Sequence, residues 1–355
     1  MSVRQINATF ESFRGRYRKR MKRILVIRGG AIGDFILTLP GLKALRNAHP
    51  YAHIEILGYK HIAALGENRF YAQAVRSIEY GPLSSFFAKN SHLPPELATY
   101  FASFDLIISY LYDPDEIFES NLRRCGVDRL IRGPAKIENQ KHAASQLAQP
   151  LEELGLRVDD LAARIFPLET DRIVLKKLLN RSSKPVVAFH PGSGSEKKNW
   201  PLEHWTKIGN YLLGSDNFQG SLVVVSGEAD EDRTKRLRAI WGNERVQFAR
   251  NIPLPALAAL FETAIFVGHD SGISQLAAAA GANCILLFGP TNPEIWAPKN
   301  ERVQVIQAPT GDMPSLKFET VRDALINRLE AGLPGNKSGA DAHRHQHVKK
   351  RRLNF

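Results

Sequence analysis

The sequence predicts an α/β chain of two halves, each a parallel sheet flanked by helices. Three observations predict it. Apolar runs alternate with helical patterns, over short connections, from Ile24 to about Leu329. The runs are near-continuous rather than alternating, as expected of strands buried on both faces. Each half opens with a strand followed by a glycine-containing turn, "ILVIRGGAIGD" in the first and "VVAFHPGSGS" in the second.

The elements follow in order. The first half reads as strands at 24–28, 53–57, 75–78 and 105–109, with helical patterns at 36–47, 60–66 and 139–154. The pattern runs down at Ile165-Phe166-Pro167-Leu168, which sets a domain boundary near 168. A helix-like stretch, Asp171–Leu179, leads into the second half. That half reads as strands at 185–190, 221–226, 264–267 and 283–288, with helices at 202–213, 230–240, 254–261 and 272–280. A last helix, about 317–331, ends in "GLPGNKSG", a stop followed by a disordered tail. That helix is expected to pack back on the first domain. The chain therefore divides into a basic arm 1–23, domains 24–168 and 169–335, and a basic tail 336–355. Ligands in such folds bind at the carboxyl ends of the strands. Two such halves can face each other across a cleft.

Composition excludes several classes. The 355 residues are 43% hydrophobic and 24% charged, an ordinary globular balance. No apolar run is long enough for a transmembrane helix. The first twenty residues are polar and arginine-rich, so no secretory signal is expected. Cys125 and Cys284 lie far apart without metal spacing, and Cys284 reads as a reduced core thiol, which fits the cytoplasm. The net charge is +12, of which the arm carries +7 and the tail +5, so the body 24–335 is neutral. Basic ends suit an anionic lipid surface better than specific nucleic-acid recognition, and equally suit plain solubility. Phe10, Phe13 and Tyr17 among the arm's arginines favour a membrane interface. Met21 offers an alternative start.

Three stretches carry candidate chemistry. The first is Arg28-Gly29-Gly30-Ala31-Ile32-Gly33-Asp34. It is close to a dinucleotide fingerprint without matching it, and Glu55 is the weak candidate for the acidic residue some 20 positions on. Asp34 reads as a first-turn carboxylate that stabilises the helix, and equally as a general base facing a cleft. The second is "FHPGSGSEKKNWP", 189–201. Ser193 and Ser195 bring hydroxyls, Lys197 and Lys198 bring charge, and the small-residue turn brings backbone amides, a combination that cradles a diphosphate or forms a solvated loop. The third is "FVGHDSGISQLAAAAG", 266–281, where the amides of Ser271, Gly272 and Ile273 open a helix after Asp270. No metal site is expected. Asp113-Pro114-Asp115 has D-x-D spacing but reads as a loop turn, and His343, His345 and His347 lack carboxylate or cysteine partners.

Taken together, "ILVIRGGAIGDFILTLPGLKALR", "HPGSGSEKKNWP" and "HDSGISQLAAAAG…LFGPTNP" resemble, in order, the motifs of glycosyltransferase family nine, the ADP-heptose:lipopolysaccharide heptosyltransferases. The resemblance covers about residues 22–330. It implies a GT-B fold, two Rossmann-like domains with the active site between them. It implies inverting, metal-independent transfer from a nucleotide-sugar, typically ADP-heptose, to a hydroxyl of an anionic glycolipid, with no further cofactor. It also implies work at the cytoplasmic face of the inner membrane, which would give the basic ends a purpose. Carried over by residue, Asp34 is the general base, and Gly30 and Gly33 shape its turn, Gly33 letting a substrate approach. Ser193, Ser195, Lys198 and the amides of Ser271, Gly272 and Ile273 hold the diphosphate, and Asp270 holds their turn. Glu228 or Asp230 contacts the ribose. The family's histidine in D-[ST]-G-x-x-H is Gln275 here, which still offers hydrogen bonds to phosphate or sugar, while His269 precedes the aspartate. Arg123, Arg124, Arg129 and Arg132 are a basic run that either binds an anionic acceptor or is a solvated surface. A non-catalytic nucleotide-sugar-binding protein and an NAD-type oxidoreductase are the competing readings.

Overall fold

The computed structural model describes residues 21–179, 186–216, 218–227, 230–242 and 245–332. Most of the basic arm, the tail with its three histidines, and Glu228 lie outside the described residues.

The first sheet is built from β1 (Arg23–Arg28), β2 (His53–Gly58), β3 (Ala74–Ser77), β4 (Leu106–Ser109) and β5 (Leu130–Arg132). Its order is β3-β2-β1-β4-β5 and every pairing is parallel. The helices of this half are α1 (Ile32–Ala48), α2 (Lys60–Ala63), α3 (Pro95–Ala102), α4 (Ile117–Arg124) and α5 (Ala143–Ala148). After α5 a 3₁₀ turn, Gln149–Leu154, carries Pro150, whose missing amide ends regular helix there.

The second half begins with α6 (Glu169–Leu178) and continues as β6 (Val186–His190), α7 (Leu202–Gly214), β7 (Ser221–Ser226), α8 (Glu231–Ile240) and β8 (Val246–Arg250). It closes with α9 (Leu254–Phe261), β9 (Ala264–His269), α10 (Gly272–Ala279), β10 (Asn283–Phe288), α11 (Pro293–Trp296), β11 (Val303–Gln307) and α12 (Phe318–Gly332). The parallel sheet runs β11-β10-β9-β6-β7-β8. Both sheets are doubly wound, and strand order reverses between β1 and β4 in one and between β6 and β9 in the other. Such a reversal opens a crevice at the strands' carboxyl ends.

The strands β5, β8 and β11 were not legible as apolar runs. All three lie at sheet edges, and their residues alternate or stay half-exposed. The central strands β6, β9 and β10 are almost wholly buried, hence their continuous apolar character. The last helix corrects an expectation. Its buried face, Val321, Ala324 and Leu325, joins the core beneath β10 and α7 rather than that of the first domain. Val321 and Leu325 share one helical face, and the second sheet supplies the apolar wall to cover it.

The two halves are not beads on a string. One continuous core runs from Ile24 and Phe35 through α1 and α10 to Phe266 and Leu286. The connecting segment is fastened to both sides: the Ile165 amide donates to Ala279 O at 2.9 Å, and Tyr71 Oη donates to Arg164 O at 2.6 Å. Arg69 pairs with Asp171 of α6 at 2.6 Å, with both side chains largely buried.

Candidate functional site

The first site is the turn after β1. Asp34 sits at the third position of α1, and its Oδ2 accepts the Ala31 amide at 2.9 Å. That carboxylate at a helix N-terminus stabilises the helix by about 1 kcal/mol. Gly30 makes the turn possible. Its φ is +95°, and a Cβ there would stand 2.7 Å from Asp34 Oδ2. The other carboxylate oxygen, Oδ1, lies 3.5 Å from a guanidinium nitrogen of Arg28, and the Asp34 side chain remains 38% exposed.

Arg28 went unread as a functional residue, though a charge ending an otherwise apolar strand is the signal that finds it. It is buried, and its guanidinium donates to Asp34 O and Thr38 Oγ1 and stacks over Tyr110. Burial lowers its pKa, and Asp34 works against that shift. The turn opens into a cavity of about 430 Å³ lined by residues that follow all five strands, among them Arg28, Asp34, Tyr59, Glu79, Phe87 and Tyr112.

The second site lies at the carboxyl ends of β6, β7 and β9. Lys198 Nζ donates to Asp270 Oδ2 at 2.7 Å, so the lysine of one turn is tied to the aspartate of another. His269 is fully buried and joins the same turns. Its Nε2 accepts the Trp200 amide at 2.9 Å, and its Nδ1 faces Gly192 O at 3.3 Å. These roles fix a neutral ring with the proton on Nδ1, and burial drives its pKa down to about 3. His190 bridges Ser271 Oγ, 3.4 Å from its Nδ1, and Asp230 Oδ2, 3.3 Å from its Nε2. Burial alone would raise the Asp230 pKa, but His190 and the Gly227 amide outweigh it and lower it. Ser271 caps α10 by accepting the Ser274 amide, and helix geometry directs the next amides, Gly272 and Ile273, out of the N-terminal end.

The two sites meet. A Cβ on Gly272 would stand 2.8 Å from Ile32 Cβ and 2.9 Å from the Gly33 amide nitrogen. Thus the first turns of α1 and α10 touch backbone to backbone. Asp34 follows that contact in one chain segment and Asp270, with Lys198, precedes it in the other.

Several of the expected site residues are already engaged by neighbouring protein groups. Gly33 faces Gly272 of the other domain, where a Cβ would stand 3.6 Å from Gly272 Cα, an ordinary contact. Gln275 is buried, and its Nε2 donates to Trp296 O at 2.6 Å, which braces the segment after β10. The Ser193 hydroxyl faces two acceptors of its own loop, Ser195 O and Asn199 Oδ1, both at 2.8 Å. Asp230 is buried against Gly192 and His190, so it holds the loop in place. Most of the basic run is spent. Arg132 pairs with Glu116 and Glu119, Arg123 with Glu119 and the Asp128 carbonyl, and Arg124 with Asn121 and the Ser91 carbonyl. Glu119, one turn before Arg123 on α4, pairs with it, and Glu116 and Glu119 together meet Arg132 of β5. Asp113 caps α4 by accepting the Phe118 and Glu119 amides, as a loop turn should.

Among the described residues, no helix is long and apolar enough to cross a membrane. None of them form a group of three or more His, Cys, Asp or Glu side chains able to hold a metal.

Known proteins are similar to this chain in sequence and in fold. Lipopolysaccharide heptosyltransferase 2 of Salmonella typhimurium is 27% identical over 191 residues, 51% of this chain and 50% of that protein, so the chain spans about half the length of this curated relative. Among solved structures, E. coli ADP-heptose lps heptosyltransferase II superposes with a TM-score of 0.72 at 17% identity, covering 87% of this chain and 99% of that one. E. coli heptosyltransferase WaaC with ADP gives a TM-score of 0.65 at 19% identity over 86% of this chain and 99% of that one. The architecture is therefore GT-B. The profile of Glycosyltransferase family 9 (heptosyltransferase) matches residues 137–325, more than half of the sequence, and the chain belongs to that family.

Proposed function

We propose that the chain is an inverting glycosyltransferase that moves a heptose from ADP-heptose to a sugar hydroxyl of a lipopolysaccharide-core acceptor. The observation that carries this reading is the Gly33–Gly272 contact, on whose two sides stand a half-exposed carboxylate and a lysine-bearing, amide-rich turn.

In the reaction, the acceptor oxygen attacks the anomeric carbon while Asp34 takes its proton. The bond from that carbon to the diphosphate oxygen breaks on the opposite face, and ADP leaves with the electron pair. One displacement inverts the centre. The charge growing on the diphosphate is met by Lys198, by the Ser195 hydroxyl and by the amides of Ser271, Gly272 and Ile273. Asp270 keeps the Lys198 ammonium at that turn. Cation and dipoles of this kind supply the stabilisation with no divalent ion. Relatives that bear the name lipopolysaccharide heptosyltransferase, and a family structure solved with ADP, support the donor and the acceptor class. A lipid-anchored acceptor sets the work at the cytoplasmic face of the inner membrane, where the basic arm and tail would be drawn to anionic lipid.

The test is to incubate purified protein with ADP-heptose, UDP-sugars and GDP-sugars, and to measure which is bound or consumed. ADP-heptose is expected alone to be consumed. An absence of ADP-sugar binding would end the heptose assignment.

A further inference from the structure

We infer that the acceptor cavity beside Asp34 receives an uncharged pyranose, stacked on aromatic rings and hydrogen-bonded by Glu79, and discriminates against an acceptor whose entering sugar is anionic. The inference rests on the transferase reading above and names the acceptor that the same site takes.

Charge is the first ground. The lining of the 430 Å³ cavity contains one cation, Arg28, and two carboxylates, Asp34 and Glu79. Arg28 is committed, because its guanidinium is held by Asp34 O, by Thr38 Oγ1 and by the Asp34 carboxylate. The lining therefore presents a formal charge of −1, and Glu79, two residues after β3, is its exposed member, with no side-chain partner among the described residues. A carboxylate or phosphate entering here meets like charge at short range. None of the nearby basic run, Arg123, Arg124, Arg129 and Arg132, lines the cavity, and Arg123 and Arg132 are paired with Glu119 and Glu116. Lys136 approaches from outside the lining, and its Nζ lies 5.0 Å from the Tyr112 ring centroid.

Shape and surface are the second ground. Tyr59, Phe87, Tyr110 and Tyr112 contribute rings to the wall. Tyr112 is 66% exposed and Phe87 45% exposed, a large aromatic area left open to water. Exposed aromatic area in a cavity marks a ligand face. A pyranose presents C–H faces that cover rings and equatorial hydroxyls that donate to a carboxylate. Glu79 offers two acceptor oxygens for such a pair of hydroxyls, and Asp34 faces the one that reacts.

Two glycosides separate the outcomes: a methyl heptopyranoside, which is uncharged, and the methyl glycoside of a 3-deoxy-ulosonic acid, which carries a carboxylate. With ADP-heptose as donor, wild type is expected to use the uncharged acceptor with kcat/KM at least about tenfold higher. Glu79→Lys should raise use of the carboxylated acceptor about tenfold and weaken the uncharged one, with Tm unchanged because Glu79 is exposed. Glu79→Gln, which keeps one acceptor oxygen but removes the charge, should weaken the uncharged acceptor severalfold and narrow its advantage over the carboxylated one. Preference of wild type for the carboxylated glycoside, or a ratio unmoved by Glu79→Lys, overturns the inference. Saturation-transfer NMR of the two glycosides, without donor, reads the cavity independently. There, binding of the uncharged glycoside alone supports the inference, and binding of the carboxylated one alone, of both equally, or of neither overturns it. Failure to consume ADP-heptose while the NMR preference holds counts against the transferase reading and leaves the acceptor class standing.

Discussion

At the scale of the residue, Asp34 does two jobs that substitution can separate. One oxygen closes the helix start through the Ala31 amide, and the other stands toward Arg28 and the cavity. Asparagine keeps an oxygen for the amide but loses the base. Asp34→Asn is therefore expected to lower kcat by about 10²–10⁴ while ADP-heptose binding, followed by calorimetry, stays within about threefold. Loss of both would assign Asp34 to the fold. Lys198→Ala should do the reverse to the donor side, costing about 10²–10³ in kcat/KM through the departing diphosphate. His269 gives a prediction in pH. Burial holds its folded pKa near 3, below the ordinary 6.5 or so of an unfolded histidine. Between those values the unfolded chain binds a proton that the folded chain refuses. Stability is thus level above about pH 6.5 and falls as pH drops below it, by up to about 1.4 kcal/mol per unit from this group. Urea midpoints from pH 7.5 to 5 check this, and a midpoint flat to pH 5 would contradict it.

At the scale of the element, the contact between α1 and α10 ranks the glycines differently from the motif. A Cβ on Gly33 would meet Gly272 Cα at 3.6 Å, an ordinary contact, whereas a Cβ on Gly272 meets Ile32 and a backbone nitrogen below 3.0 Å. Gly33→Ala should be nearly silent. Gly272→Ala should cost about 1–3 kcal/mol and, by parting the two half-sites, lower kcat/KM by about 10²-fold. Thermal melts and kinetics of the pair decide it. The sequence does not reveal this asymmetry, because two glycines in two motifs look alike until the helices are packed. What it did reveal follows burial. Central strands declare themselves by unbroken apolar runs, and the three turns fall where those strands end. Edge strands such as Val303–Gln307 do not, since one side faces water. Side-chain commitments were equally hidden. Gln275 and the arginines have the right chemistry for a ligand, but Trp296, Glu116 and Glu119 reach them first, and only tertiary placement decides such competition.

At the scale of the whole molecule, the two domains share one core, and this has a consequence for unfolding. Ile24 and Phe266 belong to the same buried cluster, while Arg69–Asp171 and Ile165–Ala279 fasten the connecting segment across it. Opening the domains apart exposes the apolar faces of α1 and α10 together, so neither domain keeps its full core alone. A single cooperative transition is expected despite the two sheets. The chain carries its own reporters. All four tryptophans, Trp200, Trp205, Trp241 and Trp296, lie in the second domain, whereas far-UV circular dichroism sees both. Urea curves from tryptophan fluorescence and from circular dichroism should coincide. Gly272→Ala should pull them apart, because it loosens the shared face without entering either sheet. ADP-heptose, which the proposed site would hold mainly on the second domain, should move both wild-type curves equally by linkage through that face. Separate midpoints in the wild-type protein would mean that the domains unfold independently, and the close Gly33–Gly272 approach would then carry no stability between them.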